Sequence, residues 1–175
     1  MCYNGIKLSA RAQKVRYLKM KKFNIYLDMD GTIANLYNVP NWLEKLKNED
    51  TTPYEQAESL VDMELLSELL KSPLVSANIL SWTSKGGSIK YNRKVRYSKL
   101  RWLQSHGLDM HIIDKYIIVP YGTNKAEAIG TRLNSSFYLF DDELNNRLNW
   151  MNAGGTAYGA EKIIEKIRFL LDLYK

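Results

Sequence analysis

The chain has 175 residues, 45% of them hydrophobic, which suits one domain with a real core and a small insertion at most. No apolar run approaches the length of a membrane span, the basic N-terminus lacks the apolar stretch of a secretory signal, and a lone cysteine, Cys2, excludes an intrachain disulfide and a cysteine-based zinc site. The net charge of +6 is local: residues 1–22 hold seven of the 25 Lys and Arg and none of the 19 acidic residues, so the remainder is near neutral. A basic extension over residues 1–21 is therefore expected outside the domain, with Met20-Lys21-Lys22 as a natural start and the domain at 22–175. Contact of that tail with nucleic acid or an acidic partner is the other reading; it is not favoured, because the tail has no nucleic-acid motif spacing. Sparse cysteine suits a cytoplasmic protein, and His106 and His111 alone make a poor metal set.

Phe23 to Leu27 reads as a buried strand that ends in Asp28-Met29-Asp30-Gly31-Thr32. The period of two puts Asp28 and Asp30 on one side, and Gly31 allows a sharp turn that leaves both in an open crevice. Carboxylates that close repel unless a cation or a shared proton holds them. The pattern points to a divalent metal site, with Asp28 free to attack and Asp30 free to move a proton. An EF-hand loop also shows D-x-D-G, but Tyr37 stands where its closing Glu would be.

Residues 38–75 interrupt the α/β alternation. Pro40 to Lys47 reads as a short helix, Asp50-Thr51-Thr52-Pro53 as a helix start, and Glu55 to Lys71 as helical with a break near Val61-Asp62. Such an insertion, at about 36–75, suits a small cap over the crevice. Ser76 to Ser84 reads as the next core strand, closed by hydroxyls. Lys90 to Gly107 reads as a helix with Val95, Leu100 and Leu103 inward and its basic residues, Lys99 among them, on a solvated face, with an anion facing them as the less favoured reading. Tyr116 to Pro120 is a third strand, with a turn through Lys125 feeding a helix. Phe137 to Phe140 is a fourth, ending in Asp141-Asp142, either of which also suits a helix cap. Thr156 to Tyr158 forms a short last strand, and Ala160 to Leu173 a closing amphipathic helix.

Asp28-Met29-Asp30-Gly31-Thr32, the hydroxyl after an apolar strand at Ser81 (with Thr83 as the alternative), Lys125, and Asp141-Asp142 occur in the order of the four motifs of the haloacid dehalogenase (HAD) phosphatase superfamily. Residues 22–175 resemble that family. The spacing D-D-x-x-x-N…W…G-G, over Asp141-Asp142, Asn146, Trp150 and Gly154-Gly155, is similar to small phage and bacterial members related to 5′(3′)-deoxyribonucleotidases. Asn146 either fills that family's Asn position or is a polar surface residue.

The resemblance implies a Rossmann-like α/β sandwich with a central, mainly parallel sheet and a small helical cap after the first strand. It implies Mg²⁺ held by Asp28, the Asp30 main chain and Asp141 or Asp142, without saying which of the pair binds directly. Asp28 would be the nucleophile, Asp30 the acid and base, and Lys125 the charge partner of nucleophile and phosphate. Gly31, Thr32, Ser81, Trp82 and Lys125 would bind the phosphate. Dehalogenases of the superfamily lack the second Asp, so Asp30 argues for phosphate chemistry. The expected activity is phosphomonoester hydrolysis through an aspartyl-phosphate, on a small phosphate ester, first of all a nucleoside monophosphate. Tyr37, Trp42 and Tyr54 either stack on its base or belong to the core. Sugar-phosphate and polynucleotide 3′-phosphatases are the alternatives, as is a HAD-fold binding protein without turnover.

Overall fold

A computed structural model describes residues 23–174; the expected extension over 1–21, with Cys2, lies outside the described residues. In chain order the elements are β1 (Phe23–Leu27), α1 (Trp42–Lys47), α2 (Thr52–Gln56), α3 (Met63–Leu70), β2 (Val75–Trp82), α4 (Ile89–Ser105), β3 (Ile113–Val119), α5 (Lys125–Ala128), β4 (Phe137–Phe140), α6 (Leu144–Asn152), β5 (Thr156–Tyr158) and α7 (Ile163–Asp172). The five strands form one sheet in the order β3-β2-β1-β4-β5, and every pairing is parallel. Among the described residues no helix is long and apolar enough to cross a membrane.

A parallel sheet covered on both faces needs apolar residues at successive strand positions. β1 supplies them. Phe23, Ile25 and Leu27, with Val75, Ala77 and Ile79 of β2, pack against Met63, Leu66 and Leu70 of α3, Trp102 and Leu103 of α4, and Ile163, Ile167 and Leu170 of α7. Tyr26, one step out of phase, packs in a separate cluster with Leu80, Leu139, Ala126 and Trp150 on the side of α5 and α6. Full burial of an Ile, Leu, Val, Phe or Met side chain among these contributes about 1.5–3 kcal/mol.

The stretch expected as a cap divides in two. α3 shares its core cluster with α7, so it is the crossover helix between β1 and β2. Residues 33–61 form the true insertion, and the helical spacing expected from Glu55 breaks between Gln56 and Met63. The insertion is fastened to α4. Ser88 donates from its N–H (2.7 Å) and its hydroxyl (3.0 Å) to Glu49, and Tyr91 Oη donates to Asp50 O (3.0 Å). Ser98 Oγ donates to Glu55 (2.7 Å), and Trp102 Nε1 to Ala57 O (2.6 Å). Leu36 and Tyr54 of the insertion pack with Tyr91 and Val95 beneath these bonds. Bonds and packing together make the insertion a fixed wall.

Candidate active site

The strand order reverses between β1 and β4, because the chain builds β1, β2 and β3 outward and then returns to the other side of β1. In open parallel sheets such a reversal opens a crevice at the carboxyl ends of the strands. Leu27 is paired with Phe140, and Asp28 N–H donates to Phe140 O at 3.0 Å. The next residues, Asp28 and Asp141, therefore emerge side by side. Asp28, Asp141 and Asp142 each offer a carboxylate oxygen within 4.8 Å of the others.

Three like charges at that range need compensation. Lys125, first residue of α5, supplies part of it. Asn124 caps this short helix by accepting the Ala126 N–H (3.0 Å), which fixes where Lys125 starts. Its ammonium is buried, 2.6 Å from Asp141 Oδ2 and 3.0 Å from Asp28 Oδ1. Only the first contact is aligned as a hydrogen bond, so Asp28 Oδ1 is buried with an ion-pair neighbour and no hydrogen-bond partner. Burial alone would lower the Lys125 pKa, but Asp28 and Asp141 together hold it above its ordinary value.

The two acids at the end of β4 differ. Asp141 is fully buried and saturated. It accepts from Lys125, from Asn146 Nδ2 (3.1 and 3.2 Å) and from Glu143 N–H (2.9 Å). Asn146 is thus a buried partner of Asp141, and the surface reading falls. Asp142 lines a cavity and exchanges two 3.1 Å bonds with Thr32: the Thr32 hydroxyl donates to Oδ1, and Asp142 N–H donates to Thr32 Oγ1. Burial, then Asp28 and Asp141, pushes its carboxyl up to about 6. Arg147 Nη1 ties both carbonyls down at 2.7 Å. Burial also raises the Asp141 carboxyl, Asp28 adds to this, and Lys125 opposes it.

Asp30 lies past the strand end, before Gly31 at φ +75°, where a Cβ would collide with the Asp142 carboxylate and the Tyr37 ring. Burial pushes its carboxyl up; Lys99 opposes this, and Asp28 adds to it. Lys99 Nζ donates to Asp30 Oδ2 (2.6 Å), Trp82 O (2.8 Å) and Ser81 Oγ (2.9 Å), and the lysine is buried. This corrects the expectation of a wholly solvated basic face on that helix. The signal was in the sequence: Tyr91, Val95, Lys99 and Leu103 recur every four residues on the apolar side of α4.

The cavity above these acids holds about 300 Å³, the lower end of the usual range for small-molecule sites. Asp28, Asp30, Ser81, Thr83 and Asp142 line it, with Tyr37, Trp42 and Tyr54 on the insertion side, Trp82 from the end of β2 and Tyr121 from the loop after β3. Tyr37 meets Trp42 edge-on at 5.1 Å between ring centroids, and Trp82 meets Tyr121 at 4.9 Å. Trp82 Nε1 donates to Thr123 O (2.9 Å), so its ring lines the cavity while its N–H is engaged.

The structure thus brings Asp28, Asp30, Ser81, Trp82, Lys125, Asp141 and Asp142 together. Gly31 and Thr32, expected to bind phosphate, are not among the residues that line the cavity. The Gly31 N–H donates to Ala34 O (2.8 Å), the Thr32 N–H to Met29 O (3.1 Å), and Thr32 is fully buried against Asp142. Thr83, the alternative to Ser81, has a buried hydroxyl without a hydrogen-bond partner.

No family model and no curated protein matches the chain. Solved structures do. D,D-heptose 1.7-bisphosphate phosphatase from B. bronchiseptica, solved with magnesium and phosphate, is 12% identical, with a TM-score of 0.58 over 86% of this chain and 99% of that one. A HAD-superfamily hydrolase from Ehrlichia chaffeensis is 15% identical, with a TM-score of 0.49 over 86% of this chain and 98% of that one. At such identities the likeness concerns architecture: the chain has the Rossmann-like α/β fold seen in HAD phosphatases.

Proposed function

We propose that the protein is a magnesium-dependent phosphomonoester hydrolase whose substrate is a nucleoside monophosphate. The observation that carries the reading is Asp28: a buried carboxylate oxygen with no hydrogen-bond partner, beside Lys125 and within 4.8 Å of two further acids, at the floor of a small-molecule cavity. The donor set is all oxygen and anionic, which fits a hard divalent cation. Asp28 and Asp142 would hold it, with the Asp30 main chain; Asp141, saturated by Lys125 and Asn146, would stand behind them. The ion would neutralise charge between carboxylate and phosphate and orient the in-line attack.

The protein's own groups account for the remaining steps. Asp28 attacks phosphorus, a new O–P bond forms, and the ester P–O bond breaks. Asp30, whose carboxyl burial pushes above its ordinary range against the pull of Lys99, gives a proton to the leaving alcohol. Asp30 then takes a proton from the water that cleaves the aspartyl-phosphate and releases phosphate. Lys125 offsets the charge gathering at Asp28 and the phosphoryl oxygens. The Thr83 hydroxyl, buried and unpartnered at the cavity edge, suits a phosphoryl oxygen; the Ser81 hydroxyl, which accepts from Lys99 and keeps its own proton to give, is the second candidate.

Two aromatic pairs around one cavity favour a planar base as the leaving-group end. The polymer reading loses ground, because three basic residues of α4 are engaged within the protein: Arg96 Nε donates to Ile118 O (2.9 Å), Lys99 is buried, and Arg101 pairs with Glu55. The heptose bisphosphate phosphatase of like fold keeps a sugar phosphate as the second reading.

The test is phosphate release with Mg²⁺ from a panel of nucleoside 5′- and 3′-monophosphates, sugar phosphates and a 3′-phosphorylated oligonucleotide, with EDTA and Asp28→Asn as controls. Release from mononucleotides that both controls abolish supports the reading. Preference for sugar phosphates or the oligonucleotide moves the substrate class, and no release from any of them overturns the reading.

A further inference from the structure

We infer that Lys99 is a positioning residue, which acts by holding the Asp30 carboxylate in place; this rests on the phosphatase reading above. An ammonium has three protons to donate. Lys99 gives all three to the protein: to Asp30 Oδ2 at 2.6 Å, to Trp82 O at 2.8 Å and to Ser81 Oγ at 2.9 Å. No donor is left for a substrate oxygen. The side chain is 1% exposed, whereas that of Asp30 is 20% exposed. Lys99 therefore grips one oxygen of Asp30, a residue that still lines the cavity.

The restraint answers a local need. Asp30 lies beyond the end of β1, directly before a glycine turn; its backbone is bridged to Ala34, while its side chain is held by Lys99. α4 is a long helix anchored by Tyr91, Val95, Trp102 and Leu103, and Lys99 lies between those anchors. Its ammonium also lies 5.2 Å from the centroid of Tyr54. A buried charge on a rigid helix thus joins the loop after β1 to the end of β2. A proton-transferring group misplaced by a fraction of an ångström loses much of its effect. Arg is a poor substitute, because its planar fork does not match three acceptors arranged around one nitrogen.

The experiment is a double-mutant cycle with 4-nitrophenyl phosphate and a nucleoside monophosphate as substrates. Lys99→Met and the milder Lys99→Gln are each made in the wild type and in Asp30→Asn. In the wild type, Lys99→Met should lower kcat for the nucleotide by about 100-fold, the size of a lost acid–base contribution, with KM within about threefold. With 4-nitrophenyl phosphate, whose leaving group needs no proton, nitrophenol should still appear as a burst of about one per enzyme before slow turnover. In the Asp30→Asn background neither Lys99 change should lower the rate further. Equal losses in both backgrounds overturn the inference, as does a loss confined to KM. Circular dichroism separates unfolding from misplacement, and Lys99→Gln, which keeps a hydrogen-bond donor without the charge, is read where Lys99→Met fails to fold. Wild-type turnover with additive losses overturns the role of Lys99 alone; absence of wild-type turnover overturns the phosphatase reading with it.

Discussion

Lys125 and Asp141 form a buried ion pair at 2.6 Å, and Asp28 shares the same ammonium at 3.0 Å. The pair joins the start of α5 to the end of β4, beside the proposed nucleophile. Removing one partner leaves a buried charge without compensation. Lys125→Met is expected to lower stability by about 3–5 kcal/mol and to abolish phosphate release. Urea denaturation and the phosphate assay check this, and Lys125→Arg should restore little of either, since a guanidinium does not fit where an ammonium is enclosed. Activity surviving in a folded Lys125→Met protein would remove Lys125 from the chemistry.

Asp142 gives a pH dependence with a definite sign. Its carboxyl sits at about 6 in the folded protein, raised by burial, Asp28 and Asp141. From about pH 4, the ordinary carboxylate range, up to about 6, the folded state keeps a proton that the unfolded state has lost. Stability of the metal-free protein therefore falls as pH rises through that window. The full shift corresponds to about 3 kcal/mol, and partial exposure reduces it to about 2 kcal/mol. Urea melts in EDTA from pH 4 to 7.5 should show wild type losing this amount relative to Asp142→Asn. Mg²⁺ should restore it above pH 6 in wild type and do little for the variant. A flat difference between the two proteins across the window would remove the repulsion from the account.

Asn146 separates the roles of the two acids. It donates to both oxygens of Asp141 and makes none of the bonds recorded for Asp142. Asn146→Ala should cost about 1–3 kcal/mol, because Asp141 loses donors while buried. The Mg²⁺ concentration for half-maximal activity should stay within about threefold of wild type, whereas Asp142→Ala should raise it at least tenfold, as loss of a direct ligand does. Mg²⁺ titrations of both variants check the assignment; the opposite order would make Asp141 the direct ligand.

Much of this was readable because Asp28 and Asp141 each directly follow an apolar strand, and Lys125 opens the helix after the third strand and its polar turn. A parallel strand buried on both faces is a conspicuous apolar word. β3 was less visible. It is the sheet edge, and Asp114 and Lys115 near its start are exposed, so only Tyr116 onward looks like a strand. α3 resembled part of a cap because its apolar spacing is the same whether it faces a crevice or a sheet. Lys99 was hidden by company: five other basic residues surround it in sequence, and only its phase with Val95 and Leu103 sets it apart.

Ser81 and Thr83 give the sharpest contrast. Ser81 Oγ accepts from Lys99 and is 1% exposed, whereas Thr83 Oγ1 is buried at the cavity edge with no hydrogen-bond partner. A buried hydroxyl without a partner costs stability until something occupies it. Thr83→Val keeps the shape and removes the hydroxyl, so it should leave the protein as stable or more stable by about 1 kcal/mol. If this hydroxyl receives a phosphoryl oxygen, the same change should weaken inhibition by inorganic phosphate about tenfold, the value of one hydrogen bond to a charged group. Ser81→Ala should behave in the opposite way: it removes an acceptor of the buried Lys99 ammonium and lowers stability by about 1–3 kcal/mol. Thermal melts with phosphate inhibition measured on both variants decide between them. Unchanged inhibition in Thr83→Val, with weakened inhibition in a folded Ser81→Ala, would return the phosphate contact to Ser81.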